Sequence, residues 1–152
     1  MKKFLVVFIL VLFLAAGVII YQSFLQNIPK TPTATINNQT FVLEVAKTEE
    51  EKAVGLSAKE KLNENAGMLF PFETPSYYSF WMKNMKLPID IIYIRDGKIV
   101  TIHKNVQPPA NPNENLQIYN STAPADTVLE INAGFSEKYN FKEGDEVRLE
   151  DI

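Results

Sequence analysis

Three charged side chains stand inside apolar segments, and they are the first candidates for chemistry in this sequence. Lys83 follows the single tryptophan by two residues, Asp90 lies in the otherwise apolar run 89–94, and Glu130 lies between a leucine and an isoleucine. A buried charge without a partner costs several kcal/mol of stability. Each of the three therefore either lines an open pocket or is paired with another polar group.

Two interpretations of these charges are open at the level of the sequence. In the structural one, Lys83 neutralises Asp90 or Glu130, or a carboxylate accepts hydrogen bonds from the N–H groups of loops. In the functional one, a small molecule, a glycan or a protein partner binds at Trp81, Lys83, Asn84, Asp90 and Glu130. The sequence alone does not identify a catalytic residue.

Two alternative functions are open: a structural or interaction module whose charges only stabilise the fold, and a hydrolase. Two carboxylates that flank a groove can act as acid and base in the hydrolysis of a glycosidic bond. Asp90 and Glu130 are the candidates for this pair, with Lys83 tuning them, and the tryptophan with Tyr77 and Tyr78 would stack on sugar rings. Because any aromatic-rich β domain with two acidic residues meets this description, the pattern leaves open whether the protein is an enzyme.

The composition excludes several kinds of site. The 152-residue chain has no cysteine, so it forms no disulfide, thiol nucleophile or thiolate metal site. Its single histidine, His103, is a poor signal for zinc, which normally recruits several His or Cys ligands, and we predict no metal and no cofactor. Apart from Lys2 and Lys3, 13 basic and 18 acidic residues leave a net charge of −5. This charge predicts that nucleic acid is not a partner.

The N-terminal segment is typical of a membrane anchor or a signal peptide. Lys2 and Lys3 precede seventeen residues without a polar side chain, residues 4–20, which is at the lower end of the roughly 17–25 residues that cross a bilayer. We predict that residues 1–21 form a single-pass anchor in the cell membrane, contacting it through residues 4–20, with the rest of the chain outside the cytoplasm. Cleavage near Ala15-Ala16-Gly17 would instead release a secreted protein.

The remaining sequence predicts a linker followed by one folded domain. Residues 22–38 contain Pro29 and Pro32 and no sustained hydrophobic period, which is typical of an extended linker. In residues 39–152 we predict strands at 41–46, 67–70, 77–82, 87–94, 98–103 and 127–131, with a closing strand within 142–149. This pattern predicts a mainly β domain, α+β by content, folded as a compact antiparallel barrel or jelly-roll-like sandwich with two or three short helices.

Three short helices are indicated by their capping residues. Thr48 with Glu51 forms a capping box that predicts a helix to about residue 55, and Ser57 with Glu60 repeats the signature and predicts a second helical turn. Ser136 is expected to cap one further turn.

Turns and loops are indicated by proline and glycine. Pro71 is expected to end the strand 67–70, and Asp96-Gly97 predicts a tight hairpin. Residues 107–116, which include Pro112, are expected to form a long irregular loop.

Motifs spread over the folded part resemble one known family. They are Gly67-Met68-Leu69-Phe70-x-Phe72, Phe80-Trp81-Met82-Lys83-Asn84, Pro88-Ile89-Asp90 and Leu129-Glu130-x-x-Ala133-Gly134, together with residues 46–56. With these motifs, residues 41–149 resemble the domain-of-unknown-function family numbered 192, a set of small, mainly exported bacterial and archaeal proteins. The resemblance implies a compact, mainly antiparallel β fold of jelly-roll type with short helices. It implies no reaction, because the family is uncharacterised.

Overall fold

A computed structural model of the chain describes residues 2–26, 30–111 and 116–152. The chain divides into two compact units, residues 1–30 and residues 31–152. Pro29 of the predicted linker and Pro112 of the predicted irregular loop lie outside the described residues.

The first unit is an apolar helix. Helix α1 spans Lys2–Gln26, and its part Val6–Phe24 is long and apolar enough to cross a membrane. Those 19 residues extend roughly 28 Å at about 1.5 Å per residue, close to the thickness of the hydrocarbon core of a bilayer. A signal sequence near an N-terminus has the same properties. The helix continues past residue 21 into the stretch that was predicted as a linker.

The described part of the second unit contains nine strands, two short α-helices and one short 3-10 helix. The strands are β1 Thr33–Ile36, β2 Gln39–Val45, β3 Ala66–Ser76, β4 Ser79–Trp81, β5 Ile89–Arg95, β6 Lys98–Val106, β7 Ile118–Asn120, β8 Ala125–Asn132 and β9 Val147–Glu150. The helices are α2 Glu49–Val54 and α3 Phe135–Lys138, and the 3-10 helix covers Gly55–Ala58.

Seven of these strands form one curled sheet in the order β6-β5-β8-β3-β2-β1-β9. Neighbours are antiparallel except β2 and β3, which run parallel because α2 and the 3-10 helix carry the chain across between them. A bridge between Lys98 and Glu146 links the two edges of the sheet, and β4 pairs with β7 in a separate two-stranded sheet. The predicted mainly β, barrel-like fold with short helices is confirmed.

The curled sheet buries apolar side chains on both faces. One cluster includes Leu69, Ile92 and Ile131, and the cluster on the other face includes Ile91 and Val128. Strands covered on both faces are nearly continuous apolar runs rather than alternating ones. This is why a carboxylate in β5 or β8 is conspicuous in the sequence.

Strand β1 corrects the predicted domain boundary. It lies inside residues 22–38, the predicted linker, yet it pairs with β2 on one side and with β9 on the other. Ala34 and Ile36 are fully buried, and Asn37 and Asn38 turn the chain with φ of 47° and 65°. A strand with only two inward apolar residues is too short to show a recognisable period, and its polar neighbours resemble a linker.

Removing residues 1–30 is expected to leave a soluble, folded domain, because every described strand begins after residue 30. Removing residues 1–38 deletes β1 as well, leaves β2 and β9 without their shared neighbour, and is expected to prevent folding. Circular dichroism and urea melts of the two fragments measure the difference. An unfolded 31–152 fragment, or equal stability of the two fragments, contradicts this boundary.

The first predicted capping box is confirmed and the second is not. The hydroxyl of Thr48 accepts a hydrogen bond from Glu51 N–H at 3.2 Å, and the Glu51 carboxylate accepts from the N–H groups of Thr48 and Lys47 at 2.9 and 2.7 Å. Ser57 instead lies inside the 3-10 helix and donates to the carbonyl oxygen of Val54 at 2.6 Å. The helical turn predicted after Ser57 is wrong.

Strand β3 continues through Pro71 to Ser76, although the proline was expected to end it. Strand β2 pairs with β3 only as far as Leu69. Pro71 therefore lies where β3 has a neighbouring strand on one side only, a position that tolerates a residue without an N–H.

The hairpin between β5 and β6 has the predicted primed turn, with φ of 48° at Asp96 and 71° at Gly97. Gly97→Val is expected to lower the free energy of unfolding by about 1 kcal/mol or more, because a β-branched residue is strained at positive φ. A Cβ at Gly97 would meet Val147 O at an ordinary 3.5 Å, so the loss reports backbone strain. Gly97→Asn is the control, since asparagine tolerates positive φ. If thermal melts show the valine and asparagine variants to be equally stable, the assignment of a primed turn is contradicted.

Candidate functional site

The register of β5 against β8 separates the two predicted carboxylates. Asp90 is directly opposite Ile131, and Glu130 is directly opposite Ile91. Directly opposite residues of an antiparallel pair share a face of the sheet, whereas consecutive residues in a strand alternate between faces. Asp90 and Glu130 therefore project from opposite faces.

Asp90 is fully buried and is bonded to the backbone. Its Oδ1 accepts hydrogen bonds from the N–H groups of Asn105 at 2.7 Å and Gly134 at 3.0 Å, and its Oδ2 accepts from Ser136 N–H at 2.7 Å. These bonds attach the end of β6 and the start of α3 to β5. Ser136 contributes its backbone N–H here, and its side chain does not form the predicted cap.

Neither the predicted ion pair of Lys83 with a carboxylate nor the predicted acid–base pair of Asp90 with Glu130 is formed. Asp90 and Glu130 lie on different faces and do not flank one groove, which contradicts the acid–base pair of the hydrolase hypothesis. Among the described residues Lys83 makes no salt bridge, so it neutralises neither carboxylate. For Asp90, the interpretation in which a carboxylate accepts hydrogen bonds from loop N–H groups is correct.

Glu130 has a different environment. Only 5% of the residue is exposed, and within the described part of the chain its carboxyl group has neither a hydrogen-bond donor nor an ion-pair partner. Burial raises the pKa of Glu130 to about 8, so the carboxyl group is mostly protonated at neutral pH. Burial, with a smaller contribution from the charge of Glu130, also raises the pKa of Tyr93, whose hydroxyl donates to the carbonyl oxygen of Tyr119 at 2.7 Å.

An open pocket of about 260 Å³ connects Glu130 to solvent. We call it the Glu130 pocket. Its lining combines aromatic rings of β3 and β4 with charged side chains of α2 and of the loop after β4. Besides Glu130, the lining includes Lys52, Phe70, Phe72, Phe80, Trp81 and Lys83.

Two lysines line the Glu130 pocket beside aromatic rings, Lys83 exposed and Lys52 half-buried. The Nζ of Lys83 is 5.9 Å from the centre of the Trp81 ring, which is 55% exposed. The Nζ of Lys52 is 4.7 Å from the centre of the Phe72 ring and 2.9 Å from Glu49 Oε1. The pocket thus has a carboxyl group at its buried floor, ammonium groups at its rim and aromatic rings in its walls.

The structure brings together three of the five predicted binding residues. Trp81, Lys83 and Glu130 line the same pocket. Asn84 is exposed with φ of 60° and is not part of the lining, and Asp90 lies on the opposite face of the sheet. Trp81, Lys83 and Glu130 thus lie together, while Asn84 and Asp90 lie apart from them.

The lining also includes residues that the sequence analysis missed. Phe70 and Phe72 lie in the apolar block that begins at residue 67, and this block was the available signal for them. Nothing in the sequence marks Lys52, because a lysine in a short charged helix is typical of a solvated face. Its place at the rim depends on where α2 packs.

The single histidine connects β6 to the end of β7. His103 Nε2 is 2.8 Å from the carbonyl oxygen of Asn120, which can only accept, so this nitrogen carries the proton. The ring packs edge-on against Tyr93 and Tyr119, with centroids 5.9 and 5.4 Å away. No group of three or more His, Cys, Asp or Glu side chains in the described residues is placed to hold a metal ion.

Comparison with known proteins gives one family and similar folds. The family model DUF192, described as uncharacterized ACR, matches residues 32–149. The search of curated proteins gives no match. A protein of unknown function from Novosphingobium aromaticivorans, solved by crystallography, is 31% identical with a TM-score of 0.69, over 78% of this chain and 83% of that chain. A crystal structure of a candidate transcription regulator from Sinorhizobium meliloti is 28% identical with a TM-score of 0.69, over 83% of this chain and 99% of that chain.

Proposed function

The chain belongs to the DUF192 family, and we propose that its folded domain is a binding module, held at the outer side of the cell membrane, whose small-molecule ligand occupies the Glu130 pocket. The observation that carries this proposal is the carboxyl group of Glu130, which is buried in the pocket without a polar partner among the described residues. Because no described residue bonds to this carboxyl group and the pocket is open to solvent, a polar group of a ligand that enters the pocket can bond to it.

The lining of the pocket supports binding rather than catalysis. Acid–base hydrolysis of a glycoside needs two carboxyl groups facing one groove. The other carboxylate in the lining, Glu49, is exposed and paired with Lys52, and Asp90 is bonded to backbone on the opposite face. The aromatic walls with a few polar groups are typical of a ligand site.

The proposed location follows from the N-terminal segment. Helix α1 is long and apolar enough to span a bilayer, and Lys2 and Lys3 precede its apolar part. Basic residues before a first span favour a cytoplasmic N-terminus, which would place the folded domain outside the cytoplasm. If the segment is cleaved, the same domain is secreted.

We propose no nucleic-acid partner for this chain. The net charge of −5 outside the first three residues repels the phosphate backbone, whereas nucleic-acid binding relies on clustered Lys and Arg. The description of the Sinorhizobium protein applies to that protein.

The fluorescence of Trp81 provides a direct test, because it is the only tryptophan and it lines the pocket. Titration of the full chain in detergent micelles with a panel of monosaccharides, aromatic carboxylates, amino acids and quaternary ammonium compounds is expected to give at least one saturable change in emission. Lys83→Met is expected to weaken that binding at least tenfold without shifting the urea midpoint. Lys86→Met, which changes an exposed lysine outside the lining, should have no effect.

Two results would overturn the proposed function. One is a panel in which no compound changes the emission of Trp81. The other is binding that persists with equal affinity when Lys83 and Glu130 are both replaced, since the ligand then lies elsewhere.

A further inference from the structure

The Glu130 pocket is lined by two groups of opposite kind, a carboxyl group and an ammonium group, together with aromatic rings. Glu130 is at the floor, on the interior strand β8, and is 5% exposed. Lys83 is at the rim, in the exposed loop after β4. A ligand that satisfies both must carry two complementary groups of its own.

The floor of the pocket favours a cation. Phe70 and Phe80 meet edge-to-face with centroids 5.1 Å apart, and Phe80 meets Tyr93 in the same way at 5.9 Å. An ammonium group beside Glu130 would provide the partner that no described residue supplies, and the rings around it can attract a cation that meets one of their faces. A protein ammonium does not fill this role, since Lys83 and Lys52 lie over Trp81 and Phe72.

The rim of the pocket favours an anion. Of the described residues, none places a carboxylate within salt-bridge distance of Lys83, whose Nζ lies 5.9 Å from the centre of the Trp81 ring. Lys52 adds a second ammonium, although Glu49 neutralises it at 2.9 Å. Hydrogen bonds from an ammonium to a carboxylate or phosphate are stronger than neutral ones.

From these two ends we infer that the ligand of the Glu130 pocket is a small zwitterion, with its ammonium group against Glu130 and its carboxylate or phosphate against Lys83. The inference rests on the proposed function, because it assigns the chemistry of the ligand in the same pocket. The volume of about 260 Å³ is just below the roughly 300–1,000 Å³ of sites for drug-sized ligands, so the ligand is expected to be smaller than a typical drug. Free amino acids and phosphocholine share this chemistry.

Binding of a zwitterion should release a proton from the protein. An ammonium group beside Glu130 favours the ionised carboxylate, and burial holds the pKa of this group at about 8 in the empty pocket. The other titratable side chains that line the pocket are Glu49, Lys52, Tyr78 and Lys83, and Tyr93 packs beside them. None of these is a histidine, so near pH 7 the released proton comes from Glu130.

Calorimetric titration of the full chain in micelles tests this with phosphocholine and with L-phenylalanine. Choline supplies the cation alone and inorganic phosphate the anion alone. At least one zwitterion is expected to bind tenfold or more tightly than choline or phosphate. Its binding should release up to one proton, which is measured by repeating the titration at pH 7 in buffers of different ionisation enthalpy. Glu130→Gln should abolish the proton release, and Lys83→Met should weaken the zwitterion at least tenfold while leaving choline unchanged; Lys86→Met is the matched control.

The outcomes separate this inference from the proposed function. Binding of phosphocholine alone identifies a choline-type ligand, and binding of phenylalanine alone identifies an amino acid; both support the inference. The inference is overturned, and the proposed function stays intact, if both zwitterions fail to bind while a sugar or a simple anion binds and its binding depends on Lys83 and Glu130. Zwitterion binding without proton release, or unaffected by Glu130→Gln, overturns the assignment of the ammonium to the floor.

Discussion

Asp90→Ala is expected to unfold the domain or to lower its free energy of unfolding by several kcal/mol, since a buried N–H group that loses its acceptor costs about 1–3 kcal/mol. Three N–H groups donate to the Asp90 carboxylate, that of Ser136 through a buried bond and those of Asn105 and Gly134 through part-buried ones. Domains of this size are typically stable by only about 5–15 kcal/mol. Urea melts followed by circular dichroism measure the loss.

Two variants calibrate this result. Asp90→Asn keeps one oxygen that can accept from Asn105 and Gly134 but turns an amide N–H toward that of Ser136, so an intermediate loss is expected. Glu73→Ala removes an exposed carboxylate of β3 and should change stability by less than about 0.5 kcal/mol. If Asp90→Ala is as stable as Glu73→Ala, the three backbone bonds do not stabilise the fold.

Glu130→Gln is expected to remove a loss of stability that the parent protein shows as the pH rises from about 5 to about 8. The folded-state pKa of Glu130 is about 8 against an ordinary value of 4.5. Between these values the folded state binds a proton that the unfolded state has lost, so stability falls as pH rises and levels off above the folded pKa. Because one pKa unit corresponds to about 1.4 kcal/mol, the total difference amounts to several kcal/mol.

Urea melts of the parent and of Glu130→Gln at intervals from pH 5 to pH 9 measure this effect. Glutamine is a neutral isostere of the protonated carboxyl group, so the two proteins should be similarly stable near pH 5 and should diverge in favour of glutamine toward pH 8. All other titratable groups contribute to both curves, and the difference isolates Glu130. Parallel curves would show that Glu130 is ionised in the fold throughout this range.

Features that depend on neighbouring residues could be predicted from the sequence. The capping box of Thr48 and Glu51 and the primed turn at Asp96-Gly97 each form through contacts within a few positions, so their residue types and spacing are sufficient. The apolar runs of β5 and β8 likewise identify buried strands, and the long apolar segment identifies α1. These local signals were enough to predict the mainly β class and to select Trp81 as a pocket residue.

Features that depend on pairing between distant segments could not be predicted from the sequence. Asp90 and Glu130 both lie in buried strands, but they are forty positions apart, and a shift of one residue between β5 and β8 would place them on the same face. The sequence contains no local record of that register, nor of the packing that brings Lys52 of α2 to the rim. The sequence by itself determined that charged residues are buried in a β domain. The tertiary structure decided that Asp90 bonds to the backbone and that Glu130 faces a pocket, because strand register is set by long-range pairing.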